Sequence, residues 1–162
     1  MKSGNTLPPG ILIRKFRVED LEVVKQLVDT TITISYREAY PQEAIDYFIL
    51  FHSSENIRED AERGCTIVLE TDRIVGTGTL LGSEIKRVFV DPSLHRLGLG
   101  ALLIEALEHE ALQRGIRKVS LAASLPSKQF YDTLGYVTEC RTFLPVQHGK
   151  RLDYFTMIKN LG

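Results

Sequence analysis

The sequence carries no excess of charge of either sign: 20 Lys and Arg stand against 21 Asp and Glu, a formal net charge of −1. Holding nucleic acid by its phosphates takes a basic surface, so nucleic acid is excluded as the main partner. Cysteine is scarce, and Cys65 and Cys140 lie far apart with no C-x-x-C pairing. That pattern supports neither a disulfide framework nor a thiolate metal site, and reads as two reduced thiols in or near strands. His52, His109 and His148 have no metal-ligand spacing either, so no metal is expected. Long apolar runs are missing; none approaches the ~20 residues that a membrane-spanning helix needs. Met1 to Gly10 lacks the apolar stretch of a secretory signal. The expectation is a cytoplasmic protein with no nucleic-acid or membrane partner.

What is present is one chain of 162 residues, 43% apolar, enough to bury a single core. Residues 1–10 are polar and rich in Pro and Gly, and read as a loose tail ahead of one domain, 11–162. Apolar residues at helical spacing follow from Leu21 to Thr31, and again at Ala44, Ile45 and Phe48, where the polar His52 breaks the stripe. Ser53 and Ser54 can cap a further short helix ending at Gly64. From Cys65 the period becomes that of strands, with turns at Asp72 and Gly82-Ser83. A helix after Gly98 turns Leu99, Leu102, Leu103, Ala106, Leu107 and Leu112 inward. Strand, helix and two more strands complete an α/β pattern, one sheet with helices on both faces.

The stretch Val88 to Leu103, V-F-V-D-P-S-L-H-R-L-G-L-G-A-L-L, organises the rest. A strand, a glycine-bearing turn and a helix N-terminus place outward N–H groups and partial positive charge at one point, which suits phosphate. The two commonest nucleotide loops are absent. The dinucleotide fingerprint needs Gly or Ala where Leu103 stands, and a P-loop needs Gly-Lys-Ser/Thr where the chain has Gly100-Ala101-Leu102.

This stretch resembles the central motif of the GNAT superfamily of N-acetyltransferases, Gln/Arg-x-x-Gly-x-Gly/Ala. Gly98 and Gly100 match and Arg96 fits the basic loop, while His95 stands at the Gln/Arg position as a departure. A second block, S-L-P-S-K-Q-F-Y-D-T-L-G-Y from Ser124 to Tyr136, is similar to the family's Asn-x-x-Ala-x-x-x-Tyr-x-x-x-Gly-Phe/Tyr; Ser124 and Ser127 replace Asn and Ala. The resemblance implies a GNAT-like fold, a central mixed, mostly antiparallel twisted sheet flanked by helices on both faces. It further implies acetyl-coenzyme A as acyl donor and an amine acceptor, small molecule or peptide. The donor's pyrophosphate would lie on the loop His95, Arg96, Leu97, Gly98, Leu99, Gly100 and Ala101, its acetyl and pantetheine part along Val88, Phe89 and Val90, with Ser124, Ser127 and Tyr131 beside it. Tyr131 aligns with the tyrosine that protonates the departing thiolate. Glu84, eleven positions before His95, stands where some members keep a general base. Tyr36, Tyr40, Tyr47 and Phe48 fall where the family builds its acceptor pocket. Family habit alone suggests a homodimer. The rival class is an acyl-coenzyme A-binding sensor or regulatory domain without turnover.

Overall fold

The structure is a computed structural model and describes residues 10–162. The tail expected over residues 1–10 therefore lies, apart from Gly10, outside the described residues.

Strand β1 (Leu12–Lys15) leads through a short 3-10 turn into α1 (Leu21–Tyr36), α2 (Gln42–Phe51) and α3 (Ser54–Arg63). Ser53 caps α3 as its sequence suggests, accepting the Asn56 N–H at 3.1 Å. Pro41 is the N-cap of α2. A meander follows: β2 (Cys65–Glu70), β3 (Ile74–Leu81) and β4 (Glu84–Val90). Then come α4 (Leu99–Gln113), β5 (Lys118–Ser124), α5 (Lys128–Thr133), β6 (Val137–Pro145) and β7 (Arg151–Asn160). The strands form one seven-stranded sheet in the order β1-β2-β3-β4-β5-β7-β6. Every neighbouring pair is antiparallel except β4 and β5, which are parallel.

Strand alternation sends side chains to two cores. On one face Ile67, Leu69, Ile85, Leu121 and Ala123 pack with Leu99, Leu103, Ile104 and Leu107 of α4. On the other, Val68, Phe89 and Leu152 pack with α1, α2 and α3 through Val24, Val28, Ile45 and Ile57. Helix α4 approaches β3 closely because Gly78 has no side chain; a Cβ there would come within 2.9 Å of Leu107 Cδ1. The expected inward stripe of α4 is right except at its end. Leu112 is 42% exposed and Ala111 is buried in its place. At 3.6 residues per turn, Ala111 continues the line from Leu107, whereas Leu112 has rotated off it.

Two departures from regular sheet structure shape the region between β4 and β5. First, Thr79 opposes Lys86 and Thr77 opposes Phe89, so β4 carries one extra residue against β3. Arg87 takes up this bulge at φ 58°, in the left-handed region. Ile85, Val88 and Val90 therefore face α4, while Phe89 joins the opposite core. Second, β4 and β5 pair only at Glu84 and Ser120, supported by the Ser120 N–H donating to Ser83 O at 3.0 Å. Beyond that point the strands part. No periodicity in the sequence could have revealed this opening.

Candidate active site

The opening between β4 and β5 divides two cavities. The larger, about 510 Å³, lies between the start of α4 and α5. Its walls are Val88, Val90, Leu94, His95, Arg96, Gly98, Leu99, Gly100, Pro126, Ser127, Phe130 and Tyr131. The smaller, about 300 Å³, lies on the side of α1 and α2, with Tyr36, Tyr47, Phe48, Phe51, His52, Glu84, Lys86 and Phe89 among its walls. Val88, Ser127 and Tyr131 line both. The two spaces meet at those three residues.

Local structure prepares the larger cavity for an anion. Asp91 accepts the Ser93 N–H at 2.9 Å and the Arg73 guanidinium at 2.7 Å, fixing the exit from β4. These contacts hold its carboxyl down at about 2, Arg73 first and Ser93 next. The chain then turns through two left-handed residues, Arg96 at φ 68° and Gly98 at φ 79°. Gly98 is the N-cap of α4, and no side chain caps the helix. The first N–H groups of a helix have no partner within it, so those of Leu99, Gly100 and Ala101 face outward with the positive end of the dipole. At Gly100 a Cβ would stand 3.0 Å from the Phe130 ring, so its lack of a side chain keeps the cavity wall back.

Along β4, the Asp91 N–H donates to Val75 O at 2.8 Å, and Phe89 lies two residues back, opposite Thr77. Alternation turns the Phe89 amide toward β3 and the backbone groups of Val88 and Val90 toward the opening. His95 agrees with this, its Nε2–H donating to Val90 O at 2.8 Å.

The residues expected around the donor thus separate. Val88, Val90, His95, Arg96, Gly98, Leu99, Gly100, Ser127 and Tyr131 surround the larger cavity. Phe89 does not: its ring belongs to the smaller one, and its amide faces β3. Ser124 also lines the smaller cavity. Leu97 is 62% exposed and Ala101 contributes through its position in the first turn of α4.

Tyr131 is buried on α5, and among the described residues its hydroxyl makes no hydrogen bond. Burial, with the neighbouring Tyr36 adding to it, raises its phenol above the ordinary value, so it is protonated at neutral pH. Ser124 and Ser127 are hydrogen-bonded to each other at 2.7 Å, and the Tyr36 hydroxyl reaches both. Tyr40 ties this corner together, donating to Asp153 O at 2.6 Å and accepting the Leu125 N–H at 2.9 Å. Glu84 stands at the rim of the smaller cavity with half its side chain exposed, 4.0 Å from Lys86 Nζ. The sulfurs stay away: Cys65 is buried under α4 and Cys140 is exposed on β6, and neither lines either cavity.

Three residues of the smaller cavity escaped sequence reasoning. His52 at the end of α2 accepts the Arg87 Nε–H on Nδ1 at 3.0 Å. Burial, then the charges of Arg87 and Lys86, depress it to about 3, so it is neutral with its proton on Nε2. Arg87 Nη1 and Lys86 Nζ both reach Asp60 Oδ2, at 3.0 and 3.1 Å. The only trace in the sequence was a histidine interrupting an apolar stripe. Among the described residues no group of His, Cys, Asp and Glu is placed to hold a metal ion, and no helix is long and apolar enough to cross a membrane.

The family model described as "Acetyltransferase (GNAT) domain" matches residues 36–161. A Bacillus subtilis (strain 168) protein described as an acetyltransferase by inference is 33% identical over 73 residues, which is 44% of this chain and 46% of that protein. The chain thus aligns with under half the length of that relative. In overall shape it is similar to the GCN5-related N-acetyltransferase "Aminotransferase, Class-II" of Rhodopseudomonas palustris, with a TM-score of 0.86, 24% identity, and 98% and 100% of the two chains covered. The PaiA N-acetyltransferase of Thermoplasma acidophilum, solved in complex with coenzyme A, superposes at TM-score 0.70 with 19% identity over 93% of this chain and 98% of its own. At such identities these structures establish the fold. The family match, spanning α2, the loop before α4 and the Tyr131 block, goes further: this chain belongs to the acetyltransferase (GNAT) domain family.

Proposed function

We propose that this chain is an acetyl-coenzyme A-dependent N-acetyltransferase, acting as one domain over residues 11–162, that moves acetyl directly to a primary amine. The observation that carries the reading is the meeting of two cavities at Val88, Ser127 and Tyr131, one of them walled by an uncapped helix start.

The residues fit the donor. Arg96, Gly98 and the amides of Leu99, Gly100 and Ala101 would hold its pyrophosphate. The open-edge groups of Val88 and Val90 would orient its pantetheine arm and place the thioester between the cavities. The amide best aimed to polarise the acetyl carbonyl is that of Val88, on the open edge, rather than that of Phe89. The PaiA relative was solved with coenzyme A, which supports the donor's identity.

The acceptor would enter beside Tyr47, Phe48 and Phe51. A protonated amine has no lone pair, so Glu84, directly or through water, would take its proton at the rim. Tyr131 would protonate the departing sulfur. Direct transfer is favoured over an acyl-enzyme because both thiols lie outside the cavities and Ser127 is bonded to Ser124, which is not a base. Free thiols also fit a cytoplasmic setting.

The test is calorimetric titration with acetyl-coenzyme A followed by thiol release over a panel of peptide, lysine, polyamine and small-molecule amines. Binding with amine-dependent release supports the enzyme. Binding without release on any amine would instead make the chain an acyl-coenzyme A sensor.

A further inference from the structure

The smaller cavity holds a buried cation whose hydrogen bonds are incomplete. Arg87 lines it with a side chain only 1% exposed. Its Nε–H goes to neutral His52 and its Nη1–H to Asp60, but Nη2 is buried with no partner. Asp60 is itself shared, since Lys86 Nζ lies 3.1 Å from the same oxygen. Two cations thus lean on one carboxylate oxygen, and the next carboxylate, Glu84, is 4.0 Å from Lys86 and half exposed. An arginine retained only for structure would have its fork satisfied, because buried polar groups are nearly always hydrogen-bonded. Burial disfavours the Arg87 charge, which an additional anion would stabilise. The backbone at Arg87 also sits at φ 58°, an uncommon conformation for a residue with a side chain.

We propose that the acceptor amine also bears a carboxylate, bound at the Lys86–Arg87 end of the smaller cavity while its amino group reaches Val88 and Tyr131. This rests on the N-acetyltransferase reading and specifies its substrate class. The unpartnered Nη2 of Arg87 can donate to a carboxylate oxygen, a charge-assisted bond, and Lys86 adds a second charge from the same strand. Arg87 and Val88 are consecutive, so the anion-binding and reacting ends of the site are joined by one stretch of β4. The volume of about 300 Å³ is at the lower end for small-molecule sites and suits a compound of amino-acid size. Tyr47, Phe48 and Phe51 supply apolar contact for the remainder of such a molecule.

The experiment compares a panel of amino acids, each with its carboxamide and its decarboxylated amine, by kcat/KM for coenzyme A release at saturating acetyl-coenzyme A. Carboxylates should exceed their neutral partners by about tenfold or more, the ratio that ~1.4 kcal/mol gives. Lys86→Gln should shrink that ratio several-fold, and Arg87→Met should abolish it if the variant folds; Lys86 is partly exposed, so its variant keeps the test usable if Arg87→Met does not. Equal or better turnover of carboxamides and decarboxylated amines overturns the proposal while leaving the acetyltransferase reading intact. Absence of coenzyme A release with every amine overturns both.

Discussion

Replacing Tyr131 with phenylalanine removes one oxygen atom and leaves the ring packing in place. Burial and the nearby Tyr36 act on the Tyr131 hydroxyl and no hydrogen bond does among the described residues, so the variant leaves no group newly unpaired. Tyr131 lines both cavities and its hydroxyl is not among the sealed polar atoms without a partner, so losing it should change stability by less than ~1 kcal/mol. The ring keeps its edge contacts with Phe130 and Tyr136, at centroid separations of 5.0 and 5.7 Å. Catalysis is a different matter. General acid catalysis is typically worth ~10²–10⁴-fold, and a thiol of pKa ~8.5 is a tolerable leaving group even unprotonated, which places the loss at the lower end, about 10²-fold or ~2.7 kcal/mol. Burial and Tyr36 raise the Tyr131 phenol, so the wild type should keep this proton donor past the ordinary tyrosine range and show no alkaline loss from it below pH ~10. The assay is single-turnover coenzyme A release at saturating acetyl-coenzyme A, which separates chemistry from product release. The expected result is a rate constant down about a hundredfold, acetyl-coenzyme A affinity within about twofold and an unchanged melting temperature. An unchanged single-turnover rate would refute the assignment, as would a loss explained wholly by weaker donor binding.

Gly98→Ala forces a Cβ onto a residue at φ 79°, costing roughly 1–2 kcal/mol, and should weaken acetyl-coenzyme A binding measurably by calorimetry. Gly100→Ala differs: helix propensity gains up to ~1 kcal/mol while the methyl crowds Phe130, so stability should hold and donor affinity fall. Tyr40→Phe strips the Leu125 N–H of its acceptor and Asp153 O of a donor, and should lower unfolding free energy by about 1–3 kcal/mol in urea titration. The Asp91 carboxyl is depressed from its ordinary 3.8 to about 2, so the stability it supplies is present above pH 4 and lost as pH falls from about 4 to 2. Denaturation curves across that window should show Asp91→Asn losing less stability on acidification than the wild type.

The parts of the site that could be read from the chain are those written in consecutive residues. Gly98 and Gly100 mark a change from strand to helix period, and the Ser124 to Tyr136 block keeps its Tyr and Gly spacing, so the larger cavity was identifiable almost residue by residue. Phe89 stands on the side of the smaller cavity for a physical reason. One inserted residue at Arg87 shifts the strand's alternation, and a bulge opposite Thr77 and Thr79 leaves no mark in a string of alternating side chains. The His52, Asp60, Lys86 and Arg87 cluster was invisible because it is assembled from α2, α3 and β4, three elements whose contact depends on tertiary packing. Of the aromatic group Tyr36, Tyr40, Tyr47 and Phe48, all but Tyr40 line the smaller cavity, and Tyr40 instead bonds Leu125 and Asp153.

The central claim is that the donor lies on the start of α4 and along the open edge of β4, with its thioester where the two cavities meet. Amide chemical-shift mapping by NMR during titration with acetyl-coenzyme A tests it most directly. The largest shifts should fall at Val88, Val90, Arg96 and Gly98 to Ala101, with Lys86 and Arg87 responding chiefly to acceptor. Shifts centred elsewhere, such as the groove of Val23, Gln26 and Ile74 on α1 and β3, or none at saturating ligand, would contradict it.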